Sequence, residues 1–486
     1  MLSRRCSVAE RVRRRNGVMK VCVIGAGSVG FTRGIVHDIL CVPEFQNTEF
    51  SLTDINERNL DMVCQLIKRD IGSAGLPAKI AATADRRSAV EGAHYVYSVV
   101  RVGGLQAFAT DIEIPLKYGV DQCVGDTLCA GGVMYAQRNI PVILDFCKDI
   151  SEMAAPGCLF INHANPMAMN MWAVNKHGHG VRNVGLCDGV ELGHAIIADA
   201  LGLPKKEVDI VCAGINHQAW YLSVKHHGRE MTGEVLAALE KHPKYSKTER
   251  VRIDMLRRYG YFSTESNGHL SEYVPWYRKR PNEIINWIDK DFTSWTHGET
   301  GGYLRWCGEQ RDQFEKGLTA WTKLPPLGFG PQTRGGEYGS YLMEGLETGR
   351  VFRGSFNLPN QGVISNLPDD AIIEAPGYVD AHGMNMARVG NLPLGCAAVC
   401  HTSINVQRLA VEAAVHGDDT LLRQAMMMDP LVGAVCDPPE IWQMVDEMLV
   451  AGEQWLPQYK KAISDAKRRL ASGRITPTVK SKGTRP

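Results

Sequence analysis

The sequence predicts an α/β fold, with an N-terminal doubly wound parallel sheet over residues 19–204 and a C-terminal α+β domain over residues 205–470. Three observations predict it. A short apolar run at 21–24 leads into a glycine-rich turn, Gly25-Ala26-Gly27-Ser28-Val29-Gly30. β-Branched and aromatic runs recur at 48–55, 94–100, 157–162 and 181–187, with helical patterns between them; strands alternating with helices are the mark of βαβ units. Beyond residue 205 the alternation gives way to VDIVCAGINHQAWYLSVKHHG, which reads as strands of an antiparallel or mixed sheet.

The elements follow in order. Residues 1–18 carry six arginines and no apolar stretch, so they read as a disordered basic tail and not as a secretory signal. Met19 opens the first strand, the glycine turn follows, and FTRGIVHDIL reads as the next helix. The second strand ends near Asp54, and the third run ends in the loop Arg101-Val-Gly-Gly. Further along, PPLGFGPQTRGGEYG (325–339) reads as a loop at the surface or over a cleft. SINVQRLAVEAAVHG belongs to an amphipathic helix stopped by glycine. Residues 471–486 form a polar tail expected to fray.

Composition narrows the function classes. The 486-residue chain balances 54 basic against 53 acidic residues, for a net charge of +1, which gives no basis for nucleic acid or an anionic membrane as partner. No apolar run approaches the roughly 20 residues of a membrane span. The 14 cysteines contain no Cys-x-x-Cys pair, and in a chain this long they read as reduced thiols of a cytoplasmic protein.

Two distant motifs carry chemistry. Gly25, Gly27 and Gly30 fit the G-x-G-x-x-G pattern of a Rossmann-type turn, between a strand and a helix whose N-terminus faces a pyrophosphate. Asp54, at the end of the next strand, suits the adenosine ribose hydroxyls and so favours NAD over NADP. The second motif is split between GLCDGV (185–190) and AGINHQAW (213–220). Cys187 ends a strand, where the ligand crevice of a parallel sheet lies, and His217 follows a strand and a turn. A thiolate and an imidazole there can share a divalent metal, with substrate oxygens completing its shell. Taken singly, a buried apolar cysteine and a hydrogen-bonded histidine are the commoner readings. Asp188 is a general acid if desolvation raises its pKa, or else a helix N-cap. Asn165 either binds sugar hydroxyls or shapes the turn before Pro166. Tyr273 acts as a base only if its pKa falls, and is otherwise a packed aromatic.

Together these pieces resemble the NAD- and metal-dependent glycosidases of glycoside hydrolase family 4. The likeness runs from Met19 to about Tyr459 and is carried by VIGAGSVGFTRGIVHDIL, VGDTLCAGG (124–132), NPMAMNMWA (165–173), VGLCDGV, AGINHQAWYL, GYFSTESNGHLSEYVPWY and SINVQRLAVEAA. The GINH and GYFSTES…EYVPWY pieces resemble the α-galactosidase and α-uronidase branches more than the phosphosugar branches. The resemblance implies Cys187 and His217 as metal ligands, Mn2+ or another divalent ion as metal, and NAD as cofactor. It also implies Asn165 and His217 as substrate contacts, Tyr273 as base and Asp188 as acid. The implied reaction is hydrolysis of α-glycosides of unphosphorylated hexoses or hexuronic acids. It proceeds by C3 oxidation, C2 deprotonation, elimination and water addition, in a homodimer or homotetramer. Two departures stand out. Cys-Asp-Gly-Val replaces the Cys-His-Ser-Val of the galactosidases, and Cys129 replaces a usual glycine. Arg334, in QTRGGEYG, either pairs with a substrate carboxylate or is a solvated loop residue. The alternative activity on this fold is an NAD-dependent sugar or hydroxy-acid dehydrogenase.

Overall fold

The computed structural model describes residues 17–288, 294–316, 323 and 325–484. All but the last two residues of the basic tail at 1–18 thus lie outside the described residues. Six strands, β1 (Lys20–Ile24), β2 (Glu49–Thr53), β3 (Lys79–Ala82), β4 (Tyr95–Ser98), β5 (Leu159–Asn162) and β6 (Arg182–Gly185), pair in parallel in the order β3-β2-β1-β4-β5-β6. That order is the dinucleotide-binding one, in which the strand sequence reverses at β1. The sequence reading had no strand at β3. Four residues long and mostly exposed, it lacks the buried apolar run that betrays its neighbours.

The residues of β1 show why helices cover both faces. Val21 and Val23 point into one core with Phe50, Leu52, Tyr95 and the helix Tyr338–Thr348. Cys22 and Ile24 point into the opposite core with Val96, Phe160, Ile143 and Phe146. Successive strand side chains alternate faces, so a strand apolar at every position must be buried on both.

The sheet then continues with antiparallel strands. β7 (Val208–Ile215), β8 (Gln218–His226), β9 (Arg229–Glu230), β10 (Phe352–Pro359), β11 (Ile372–Asp380) and β12 (Gly383–Met386) complete twelve strands. β10 joins β6 through Asn357 opposite Gly185, and β11 joins β7 through Glu374 opposite Gly214. The parallel and antiparallel halves are therefore one sheet, and β10 and β11 arrive from 140 or more residues downstream of the strands they join. The largest core lies between this sheet and the long helices Cys129–Met153, Met167–His177, Leu394–His416 and Pro438–Ala451.

The C-terminal tail is not frayed. The N–H of Ile475 donates to Gln443 Oε1 at 2.7 Å, that of Thr478 to Glu440, and that of Thr484 to Thr300 Oγ1 at 2.8 Å. Polar composition suggested solvation, but backbone donors can equally be satisfied by side chains of a neighbouring helix. Among the described residues, every cysteine is a free thiol and no helix is long and apolar enough to cross a membrane.

Candidate active site

The carboxyl ends of the parallel strands lie along one edge of the sheet. At β1, Gly25 takes a left-handed φ of 87°, and the N–H groups of Gly25 and Ala26 both bond to the Thr53 carbonyl, at 2.9 and 3.0 Å. This folds the turn against the end of β2, where Asp54 accepts the Gly27 N–H at 2.8 Å on one oxygen and the Asn56 N–H at 2.7 Å on the other. A Cβ on residue 27 would stand 2.9 Å from that carboxylate, so glycine keeps turn and acid together. A Cβ on residue 30 would meet nothing within 4 Å. The third glycine of such a motif commonly lets helix and strand pack closely, but here it leaves an open surface. Beside it starts the helix Val29–Leu40, whose first turn has no side-chain cap and no acidic residue. Bare N–H donors, a positive helix end and open space make a cradle for a pyrophosphate.

The next strand ends converge on Asp126 of the VGDT run. Its carboxylate accepts from Arg101 Nη2 and from Asn165 Nδ2, both at 3.2 Å, and from Thr127 Oγ1 at 2.8 Å. Arg101 lies over the rings of Phe108, Tyr135 and Tyr303, with its guanidinium 4.4, 4.9 and 5.5 Å from their centroids. Burial works to raise the Asp126 pKa, but Arg101, His269 and His217 outweigh it and hold the group below its ordinary value. Asn165 is thus placed in the cleft by a charged partner, while its backbone carbonyl accepts from Asn139 Nδ2 at 2.6 Å.

The thiol and the imidazole meet. Cys187 sits two residues past β6, and His217 lies in the two-residue turn between β7 and β8 with φ 62°. Non-glycine residues held in this left-handed region cluster where the surroundings require a side chain at a fixed place. The His217 Nε2 lies 3.3 Å from Cys187 Sγ, and its Nδ1 lies 3.0 Å from Thr127 Oγ1. Because the Thr127 hydroxyl donates its proton to Asp126, its oxygen accepts from Nδ1–H. This network assigns the lone pair to Nε2, facing the cysteine, as a metal-binding imidazole requires. A carboxylate that the sequence reading missed completes the cluster: Glu265 Oε1 is 3.5 Å from Cys187 Sγ and 3.5 Å from His217 Nε2.

Acidic groups crowd this pocket. Burial, then Glu265, Glu374 and Asp188, push the Cys187 thiol well above its usual range. Glu374 is raised to about 8 by burial and by Glu265. Asp188 stands at the N-terminus of the helix Gly189–Ala200 but makes no cap hydrogen bond. It is open to the cleft by surface area, yet burial by the walls, then Glu265, raise its pKa.

Tyr273 ends the short helix Asn267–Tyr273, and its ring contacts His269, which contacts His217 in turn. Its hydroxyl is buried without a partner of ordinary hydrogen-bond geometry, although Thr127 is near enough to lower its pKa slightly. Burial, then Glu272 and Asp126, dominate and push the phenol well above 10. The direction is opposite to the fall that a base needs. Glu272 is an anchor: it accepts the N–H groups of Cys123, Val124 and Gly125 at 2.6, 3.0 and 2.8 Å. The helix carrying Tyr273 is thereby tied to the loop carrying Asp126.

Two other expectations resolve. Arg334 is neither solvated nor free, since it pairs with Glu344, bonds Ser340 at 3.0 Å and lies 3.5 Å over the Tyr341 ring. Cys129 has φ 59°, a left-handed conformation in which glycine carries no steric cost, which explains why glycine is the usual residue there. The missed Glu265 had one sequence signal. It lies in Ser-Thr-Glu-Ser-Asn-Gly-His, a polar run whose every residue is buried, and such a run stays buried only when its groups bond one another or a ligand.

Comparison with known proteins fits this geometry. The model for the family 4 glycosyl hydrolases matches residues 20–203, and that for the family 4 glycosyl hydrolase C-terminal domain matches residues 212–432. The chain is 56% identical to an alpha-galactosidase of Rhizobium meliloti over 457 residues, covering 94% of this chain and 93% of that one. It is 33% identical to an alpha-galactosidase of Bacillus subtilis, covering 91% and 100%. The fold matches the 6-phospho-beta glucosidase of Thermotoga maritima, solved with manganese, NAD+ and glucose-6-phosphate, with a TM-score of 0.73 at 22% identity, covering 90% of this chain and 99% of that one.

Proposed function

The chain belongs to family 4 of the glycosyl hydrolases, and from that premise we propose that it hydrolyses α-galactosides with NAD and a divalent metal, Mn2+ first among candidates. The observation that carries the reading is the meeting of Cys187, His217 and a buried carboxylate on a sheet whose first strand opens an uncapped, phosphate-ready turn. The galactoside assignment is supported by the 56% identity to the Rhizobium meliloti enzyme.

The residues fit both groups. NAD suits the open surface at Gly30, the uncapped helix N-terminus and the Asp54 carboxylate. A divalent metal suits a sulfur, an imidazole nitrogen and an oxygen with mutual separations of 3.3–3.5 Å in a pocket crowded with acidic groups. When bound, NAD supplies a hydride acceptor for C3 of the sugar and the metal a Lewis acid for its hydroxyl oxygens.

The chain's own residues do the rest. Cys187 and His217 would hold the metal, with Thr127 and Asp126 fixing the imidazole tautomer. Gly25 and Gly27 shape the turn, the open, uncapped first turn at Gly30 would receive the pyrophosphate, and Asp54 would take the ribose hydroxyls. Asn165, steadied by Asp126, orients the sugar, with His217 beside it. Tyr273 removes the C2 proton, which a neighbouring ketone acidifies. Burial and two carboxylates oppose its ionisation, and a divalent cation held by Cys187 and His217 would supply the opposing charge. Asp188, whose pKa burial and then Glu265 raise, is placed to give a proton to the glycosidic oxygen as the C1–O bond breaks. The resulting carboxylate takes a proton from the water that adds at C1, Tyr273 gives a proton back to C2, and restoring C3 by hydride is chemistry that bound NAD would supply.

The test is a panel of aryl α- and β-glycosides, with and without a C6 carboxylate or phosphate, assayed with NAD+ and Mn2+ under reducing conditions. The α-galactoside is expected to be cleaved fastest, without stoichiometric NADH. Preference for a uronide would overturn the glycone, and one NADH per turnover would favour a dehydrogenase.

A further inference from the structure

Glycine at position 189 has no backbone reason to be there. It is the first residue of the helix Gly189–Ala200, its φ is not positive, and glycine is a poor helix former. Its reason is spatial. A Cβ on residue 189 would stand 1.6 Å from Glu265 Oε1, 2.6 Å from its Cδ and 3.2 Å from its Cγ. Any side chain at 189 therefore pushes the Glu265 carboxylate out of the pocket. Retained, that carboxylate lies 3.5 Å from both Cys187 Sγ and His217 Nε2, which are themselves 3.3 Å apart. Three donor atoms of three kinds thus form a nearly equilateral triangle, its edges close to the ~3 Å separation of neighbouring ligands around a divalent ion bound at about 2.0–2.4 Å.

Charge points the same way. Among the described residues, no lysine or arginine pairs with Glu265, Asp188 or Glu374, and buried carboxylates without a countercharge are costly. A thiolate and one carboxylate together neutralise a dication, where a thiolate alone leaves a net positive charge. Glu265 is only 7% exposed and has no other strong partner, its second oxygen lying 3.9 Å from His269 Nδ1.

We infer that Glu265 is a third protein ligand of the divalent cation held by Cys187 and His217, and that Gly189 is the residue that admits it. The inference rests on the metal reading above and deepens it. Three protein ligands on one face bind the cation firmly before sugar arrives and leave the opposite face for sugar oxygens and water.

The experiment titrates Mn2+ into metal-stripped, reduced protein containing NAD+ and no sugar, with the EPR signal of free Mn2+ as readout. Wild type, Cys187→Ala, Glu265→Gln and Gly189→Ala are compared, with thermal melting and NAD+ affinity as fold controls. Glu265→Gln is near-isosteric and is expected to weaken Mn2+ binding about 10- to 100-fold or more. Gly189→Ala, which leaves all three donors present but displaces one, is expected to weaken it in the same direction. Wild-type affinity in Glu265→Gln, with affinity lost in Cys187→Ala, would overturn the third ligand and leave the two-ligand site standing. Failure of the wild type to bind Mn2+, or unchanged binding in Cys187→Ala, would overturn both.

Discussion

The two halves of the sheet feed one cleft by different routes. In the parallel half, Gly25, Asn165 and Cys187 lie just past the carboxyl ends of β1, β5 and β6, and Asp54 just past β2. One rule of topology puts them all on the same edge. In the antiparallel half, His217 arrives on a two-residue turn at a left-handed backbone, Glu265 on a buried polar segment, and Tyr273 at the end of a seven-residue helix. No repeat relates these three. They are held by cross-links, Thr127 to His217 and Glu272 to the loop of Cys123–Gly125. The parallel half builds a cofactor site that its own strands define, and the antiparallel half completes the chemistry only because its segments are tied back to the first.

The largest effect separates the two. Cys187→Ala or His217→Ala is expected to lower kcat by about 10³-fold or more, since several kcal/mol of charge stabilisation is lost, while NAD+ affinity by fluorescence titration stays near wild type. Equal loss of NAD+ affinity would break the comparison. Next, Asp188→Asn is expected to cost roughly 10²–10⁴-fold on substrates with poor leaving groups, and less on activated aryl galactosides. The acid works protonated, so kcat of the wild type falls as pH rises through its raised pKa, and the variant lacks that limb in its pH profile. Asp54→Ala probes the other half: with two charge-assisted bonds lost, the NAD+ Kd is expected to rise about 10-fold and NADP+ discrimination to shrink, with kcat at saturating NAD+ little changed.

The smallest effect sharpens the tie between halves. Burial raises Glu272 from 4.5 to about 7, against the pull of the N–H groups of Gly125, Val124 and Cys123. The folded state therefore holds more protons than the unfolded one between about pH 4.5 and 7, and stability falls as pH rises through that window. Asp429, raised to about 6, acts in the same direction. Stability, read from melting at a series of pH values, is expected to fall by an amount on the order of a few kcal/mol across this window, with a flatter slope in Glu272→Gln, whatever its absolute stability.

Legibility in the sequence follows the same division. β1, β4 and β5 were readable as buried, mostly apolar runs, β2 and β6 through the apolar residues in and beside them, and Gly25, Asp54, Asn165 and Cys187 because they follow closely after such strands, where the crevice lies. His217 was readable as a type and not as a neighbour of Cys187, since 30 residues and a strand inserted elsewhere in the sheet separate them. β10 and β11, which make His217 and Cys187 neighbours by lying between β6 and β7, carry no local sign of where they insert. Glu265 and Gly189 were on view as letters, but their dependence on each other is a 1.6 Å clash, which no spacing encodes. The Tyr273 environment ran against expectation because its nearest charges, Glu272 and Asp126, come from its own helix and from a loop nearly 150 residues away.

Elimination after a transient oxidation is the step on which the proposed cleavage turns. Hydrolysing an unlabelled α-galactoside in D2O with NAD+ and Mn2+, and locating deuterium in the released sugar by NMR, reads that step. Deuterium at C2, without net formation of NADH, is the expected result. Galactose unlabelled at C2 after full turnover would contradict it.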